Sequence, residues 1–257
     1  MKIEEYLKTL PQSIITGEEV ELRDDTLREI FEFASLNKDD VFYHLGCGSG
    51  NSLTIALEEF GVKKAVGIDN NDQKIKTAKN LLEKKKLSRW TLRCEDIIQS
   101  DISDATVILF WFSDEQILDN IVSKFSKLKQ GCRIITLWGP LPGCLPDKVN
   151  FPFILNVTPF KKASDLKEQL LAVFGTDCID FADAWEFADR YIKTIGAKEA
   201  ENDRFVTIIQ SLVIWINAKN LGVACGDEIP MPIRNYMGIL KTYFNIEIEH
   251  LLQQKDN

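Results

Sequence analysis

Val41-Phe-Tyr-His-Leu-Gly-Cys-Gly-Ser-Gly50 is an apolar run that ends in three glycines at alternate positions, with helical spacing starting near Ser52. Glycine has no Cβ and accepts positive φ, so a strand that stops in Gly46, Gly48 and Gly50 brings backbone N–H groups close to whatever binds there. The stretch reads as a cofactor loop. It is not a dinucleotide fingerprint: that pattern is G-x-G-x-x-G, whereas this chain has G-x-G-x-G and Asn51 where the third glycine would fall. Asp69 closes the next apolar run, Ala65 to Asp69, and lies 23 residues after Gly46. An acid at the end of a second strand at about this spacing hydrogen-bonds ribose hydroxyls.

Around this loop the chain alternates strand and helix patterns. Apolar residues at 27, 30, 31, 34 and 36 predict a lead-in helix over 26–36, and 52–60 predicts a second that stops at Gly61. A helix over 72–86, a strand at 89–94, a strand at 106–112, a helix at 114–129 and a strand at 132–138 follow. This rhythm predicts an α/β fold, a doubly wound, mostly parallel sheet with helices on both faces. Residues 139–152 hold four prolines and two glycines and read as a loop, with 153–158 returning as a last edge strand. Beyond Pro159 the pattern turns helical, at 163–174, 181–194, 200–221 and 233–252. The expected organisation is therefore a domain over 1–160, with an acidic lead-in over 1–40, and an all-α extension over 161–257. Trp185, Phe187, Tyr191 and Trp215 in that extension have the spacing of a core or a docking face for a protein partner or a second copy.

Composition excludes several classes. With 45% apolar and 27% charged residues the chain is an ordinary soluble one. Its net charge of −8, with 20 bases and 24 acids in residues 1–160, argues against nucleic acid and for a small molecule or a basic protein. Its longest apolar runs are too short for a bilayer, and its first residues show no signal peptide, so the expected location is cytoplasmic and off the membrane. The six cysteines, at 47, 94, 132, 144, 178 and 225, lack zinc-site spacing and read as reduced core residues. His44 and His250 are the two histidines, and no metal is expected.

Through Tyr43 to Gly50, Ile68-Asp69, Cys94-Glu-Asp-Ile97 and the strand at 106–112, the chain resembles the class I, seven-strand methyltransferases that use S-adenosyl-L-methionine (SAM). The resemblance covers roughly residues 20 to 140. Within that class it is most similar to the small archaeal, non-SET protein-lysine methyltransferases, through Leu45 to Gly50, Val62 to Gly67 and Asp101 to Val107. The resemblance implies a Rossmann-like fold, SAM as cofactor, and transfer to lysine ε-amines of basic proteins. It assigns Gly46, Gly48 and Gly50 to the methionine and ribose end of SAM, Asp69 with neighbouring Asn70 to the ribose, and Asp96 with the Ile97 backbone to adenine. His44 joins the cofactor-binding positions, standing where the family usually has an acid beside the cofactor's amino group; a neutral imidazole lacks that charge, and a hydrogen-bonded core group ending a buried strand is the competing reading.

After the fourth strand, where many amino-methylating enzymes carry Asn/Asp-Pro-Pro-Tyr/Phe, this chain has Phe110-Trp-Phe-Ser-Asp114. Trp111, Phe112, Ser113 and Asp114 are thus the candidate catalytic positions. Trp111, Phe112 and Trp138 suit an apolar channel that lowers a lysine pKa and holds an ammonium against aromatic faces. Core packing for the aromatics and helix capping for Ser113 and Asp114 are the competing readings. Glu18, Glu19, Glu21, Asp24 and Asp25 in the lead-in suit attraction of a lysine-rich substrate. Two other functions fit the same residues: a methyltransferase-like scaffold with weak or no SAM binding that acts through its helical extension, and a small-molecule methyltransferase with that extension as a lid.

Overall fold

The structure is a computed structural model, described here for residues 21–111, 115–137, 139–194 and 204–252. Phe112, Ser113, Asp114, Trp138, Glu18 and Glu19 lie outside the described residues. Glu21–Phe174 form one compact unit, and the residues from Gly175 onward form a second.

The first unit begins with helix α1 (Asp24–Phe33), whose Leu27, Ile30 and Phe31 are buried at one face. Strand β1 (Val41–Leu45), helix α2 (Asn51–Glu58), strand β2 (Lys64–Asp69), helix α3 (Asp72–Lys84) and strand β3 (Trp90–Cys94) follow. Then come β4 (Val107–Phe110), helix α4 (Glu115–Phe125) and β5 (Arg133–Leu137). The sheet order is β3-β2-β1-β4-β5, all parallel, extended by antiparallel β8 (Phe153–Val157) and β7 (Lys148–Asn150). A short β6 (Cys144–Leu145) pairs with β9 (Lys161–Lys162) in a separate ribbon.

Alternation along the strands divides the core between the two faces. Phe42 packs with α1 and α2 through Phe31 and Leu53, while Tyr43 and Leu45 pack with Ile121 and Phe125 of α4 on the other side. The sheet is therefore doubly wound, as the strand and helix rhythm predicts. The expected last edge strand at 153–158 instead lies inside the sheet, because Lys148–Asn150, within the stretch read as a loop, pairs along its outer side. Helix α5 (Leu166–Phe174) stays with the sheet unit, beyond the expected boundary at 160. The Gln169 side-chain amide, buried, donates to the carbonyls of Leu141 (3.0 Å) and Cys144 (2.8 Å).

The second unit holds helices α6 (Phe181–Thr194), α7 (Arg204–Asn220) and α8 (Met231–Phe244), the all-α extension expected from the sequence. Helix α8 stops earlier than its pattern implies, at Asn245 with φ 54°, and a single 3₁₀ turn at Glu249–Leu251 follows. Cys178 and Cys225 form a disulfide, which corrects the reading of all six cysteines as reduced. They are 47 residues apart, and nothing local in the sequence announces them. A parallel bridge between Ile179 and Ala224 brings them together, with Ile179 N–H on Val223 O (2.8 Å) and Cys225 N–H on Ile179 O (3.0 Å). Closing a loop of that length stabilises the folded unit by about 4 kcal/mol on the chain-entropy account. Cys47, Cys132 and Cys144 are buried free thiols, and Cys94 is an exposed one.

Gly67 sets how close the cofactor loop lies to the sheet. A Cβ there would stand 2.7 Å from Cys47 Sγ and 2.9 Å from Leu92 Cδ2, in a strand paired on both sides. Gly67→Ala is expected to destabilise the sheet unit by about 1–3 kcal/mol, the cost of overpacking a filled core, read from urea unfolding.

Candidate functional site

Strand order reverses between β1 and β4, and a crevice outside the carboxyl ends of the strands at such a switch point is where open α/β sheets bind ligands. The chemistry-bearing residues singled out from the sequence, so far as they are described, collect at that edge. Gly46 to Gly50 follow β1, Asp69 and Asn70 close β2, and Asp96 and Ile97 follow β3. Trp111 follows Phe110, the register partner of Leu45, and so emerges beside Gly46.

All three glycines have positive φ, at 80°, 54° and 85° for Gly46, Gly48 and Gly50. A side chain at Gly50 would also put its Cβ 2.8 Å from that of Ala78, so the loop and α3 are in near contact. The loop is tied to β2 at its base by Gly46 N–H and Cys47 N–H, which both donate to Ile68 O at 2.7 and 3.0 Å. Asp69 is 8% exposed, and its two oxygens divide the work. Oδ2 accepts from Gly48 N–H (3.0 Å) and Oδ1 from Asn71 N–H (2.9 Å), the residue that caps α3. Each carboxylate oxygen has a second lone pair, so the arrangement can still accept two hydroxyls of a ligand.

Next to it, Glu95 N–H donates to Asp69 O (3.1 Å), and exposed Asp96 accepts from Ile98 N–H (2.8 Å), closing the turn after β3. Lys124 of α4 holds this turn from below: its ammonium donates to the carbonyls of Ile97 (3.0 Å), Ile98 (2.9 Å) and Ser100. Burial pushes the Lys124 pKa down. The sequence offers no sign of this contact, since Lys124 sits in a charged helix face 27 residues from Ile97. Trp111 packs in part against the core beneath α1 and α2, which satisfies its core reading on one side.

Glu21 is the second residue whose place the sequence does not reveal. Its carboxylate lies over the glycine loop, accepting from Ser49 N–H (2.9 Å), Ser49 Oγ–H (2.6 Å) and the Asn51 amide (3.4 Å). Asp25, another acid of the lead-in, is paired with Arg23 at 2.9 Å, and Asp24 opens α1. Among the described residues no group of His, Cys, Asp and Glu is arranged to hold a metal ion, and no helix is long and apolar enough to cross a membrane.

His44 Nδ1 pairs with Ser52 Oγ at 2.6 Å, binding the end of β1 to the first turn of α2. Desolvation lowers its pKa to about 4, against a smaller upward pull from Asp69, so the ring is neutral at pH 7. The unfolded chain takes up a proton at His44 below about pH 6.5, which the folded chain refuses until about pH 4. Folding stability therefore falls as pH drops through that window. In His44→Asn the fall between pH 6.5 and 4 should be smaller by about 1–2 kcal/mol, allowing for the ring's partial exposure, read from urea unfolding at the two ends of the range.

Residues 15–142 match the family described as Histone methylation protein DOT1. A protein-lysine N-methyltransferase of Saccharolobus islandicus (strain REY15A) is 34% identical over 125 residues, which are 48% of this chain and 77% of that protein. Among solved structures, an RNA methyltransferase from Salinibacter ruber in complex with S-adenosyl-L-homocysteine superposes with a TM-score of 0.52 at 22% identity, over 57% of this chain and 99% of that one. At that identity the likeness speaks for the fold. A glycine loop at the switch point, a buried acid closing β2 and a relative shared over most of its length agree, and the chain belongs to the class I SAM-dependent methyltransferase family of that Saccharolobus protein.

Proposed function

We propose that this methyltransferase acts on lysine ε-amines of a basic protein substrate. The observation that carries the reading is the 34% identity to a protein-lysine N-methyltransferase over 77% of that protein's length. The absence of Asn/Asp-Pro-Pro-Tyr/Phe at 110–114, the net charge of −8 and the acids at the start of α1 support it.

SAM supplies an activated methyl group on a sulfonium; the chain supplies binding, orientation and a dry approach. In this reading the three glycines let the backbone approach the cofactor, Asp69 and Asn70 take the ribose, and Asp96 takes the exocyclic amine of adenine. Lys124 occupies the Ile97 carbonyl, which leaves the Ile97 N–H as the backbone group offered to the ring. His44 belongs to the frame of the loop rather than to the cofactor's contacts. An acceptor lysine has to lose its proton from an ordinary pKa of about 10.4 and line up with the methyl group. Apolar walls favour the neutral amine, and Trp111, with Phe112 and Trp138 by sequence position, is assigned to them. Ser113 and Asp114 are assigned to the acceptor side by sequence position alone.

The helical unit, within the 161–257 extension, is read as the surface for a protein partner or a second copy, and the enzyme is placed in the cytoplasm.

Labelled SAM incubated with the enzyme and a whole-cell extract should mark protein, with mass spectrometry finding the label on lysine. Label confined to small molecules or to nucleic acid would overturn the acceptor. Asp69→Asn should weaken SAM binding by roughly 10- to 100-fold, the worth of charge-assisted hydrogen bonds to two hydroxyls, and transfer should fall with it. Unchanged affinity in that variant would remove Asp69 from the site.

A further inference from the structure

The amino-acid end of SAM is a zwitterion: a carboxylate that backbone N–H groups can serve, and an ammonium that needs an acceptor with negative charge. The strand-end position nearest the loop cannot meet the second need. His44 is neutral at pH 7, and its Nδ1 is already engaged with Ser52. Asp69, at the carboxyl end of β2, has one oxygen on the loop and the other on the α3 cap, and the lone pairs it keeps are assigned to the ribose hydroxyls.

Glu21 has the charge and the position. A Cβ built on Gly48 would stand 3.1 Å from Glu21 Oε1, so the carboxylate lies over the face of the loop that the missing side chain leaves open. Two hydrogen bonds from Ser49 and one from Asn51 fix its orientation across 28 to 30 residues of sequence. These bonds use Oε1 once and Oε2 twice, so Oε1 keeps a lone pair for a further donor. A carboxylate held in this way by backbone and hydroxyl donors is a formed acceptor for a cation.

Resting on the SAM site described above, we propose that Glu21 receives the ammonium of the cofactor's amino-acid end. The lead-in segment then contributes to the cofactor pocket, and the negative charge that the sheet does not provide at His44 is delivered from outside the sheet. Ser49 and Asn51 act as positioning residues for that carboxylate.

The test is isothermal titration of the full chain with S-adenosylhomocysteine and with 5′-methylthioadenosine. These share adenosine and an uncharged sulfur and differ in the amino-acid end. Glu21→Gln keeps the acceptor for Ser49 N–H and removes the charge. It should weaken S-adenosylhomocysteine by roughly tenfold or more and leave 5′-methylthioadenosine within about twofold, which also shows that the variant is folded. Equal weakening of both ligands, no change, or tighter binding of S-adenosylhomocysteine would overturn the assignment; the last would mean that Glu21 competes with the ligand's carboxylate for Ser49 N–H. If wild-type protein binds 5′-methylthioadenosine but not S-adenosylhomocysteine, the Glu21 role falls and the adenosine pocket stands. If it binds neither, the cofactor site itself falls, and Glu21 with it.

Discussion

The buried carboxylate of Asp69 holds the site together. Burying a charge is unfavourable unless it is hydrogen-bonded, and Asp69 meets that condition by accepting from two backbone groups on different connections. One is Gly48 N–H, between β1 and α2; the other is Asn71 N–H, between β2 and α3. A single side chain thus sets the spacing of the two helix starts that frame the crevice. The arrangement requires the loop to sit directly on β2, which is why Gly67 faces Cys47 Sγ with no room for a methyl group and why Gly50 nearly touches α3. The stability of the sheet and the shape of the cofactor loop are for this reason one problem, and substitutions in β2 reach the loop without touching a ligand.

Charge at the loop follows a different logic from geometry. The end of β1 carries a neutral histidine bonded to Ser52, a contact that strengthens the joint between β1 and α2 but offers a ligand no charge. Stability at this joint and electrostatic recognition have been separated, with the first kept in the sheet and the second available from Glu21 on the preceding segment.

Legibility in the sequence tracks how local each determinant is. The glycine spacing, the apolar run ending at Asp69 and the alternation of strands with amphipathic helices are read from a dozen residues at a time, and they place β1 to β5 and the crevice. Lys124 on the Ile97 carbonyl, Glu21 on Ser49 and the Cys178–Cys225 bond join residues 27, 28 and 47 positions apart, and none leaves a periodic trace. Strand β7 escaped for another reason. Three residues, Lys148–Asn150, between Pro146 and Pro152, carry a turn composition, and only pairing with β8 makes them a strand. Helix α5 looks like the first helix of the extension because its pattern is helical; it is tied to the sheet unit by Phe174 against Phe151 and by buried Gln169, a polar side chain that hydropathy counts against burial.

The helical unit is not needed to complete the sheet. A solved methyltransferase fold is covered over 99% of its length by 57% of this chain, and the first unit has its own two-sided core. The second unit likewise carries its own means of stability: a core containing the fully buried Trp215, and a disulfide that closes 47 residues around α6 and α7. Helix α8 shows the same self-sufficiency: Ile233, Met237 and Leu240 are buried along one side while Met231 and Tyr243 are exposed, and Phe244 at its end stacks on Phe205 of α7 at 4.7 Å, the one-sided burial of an amphipathic helix packed on a neighbour.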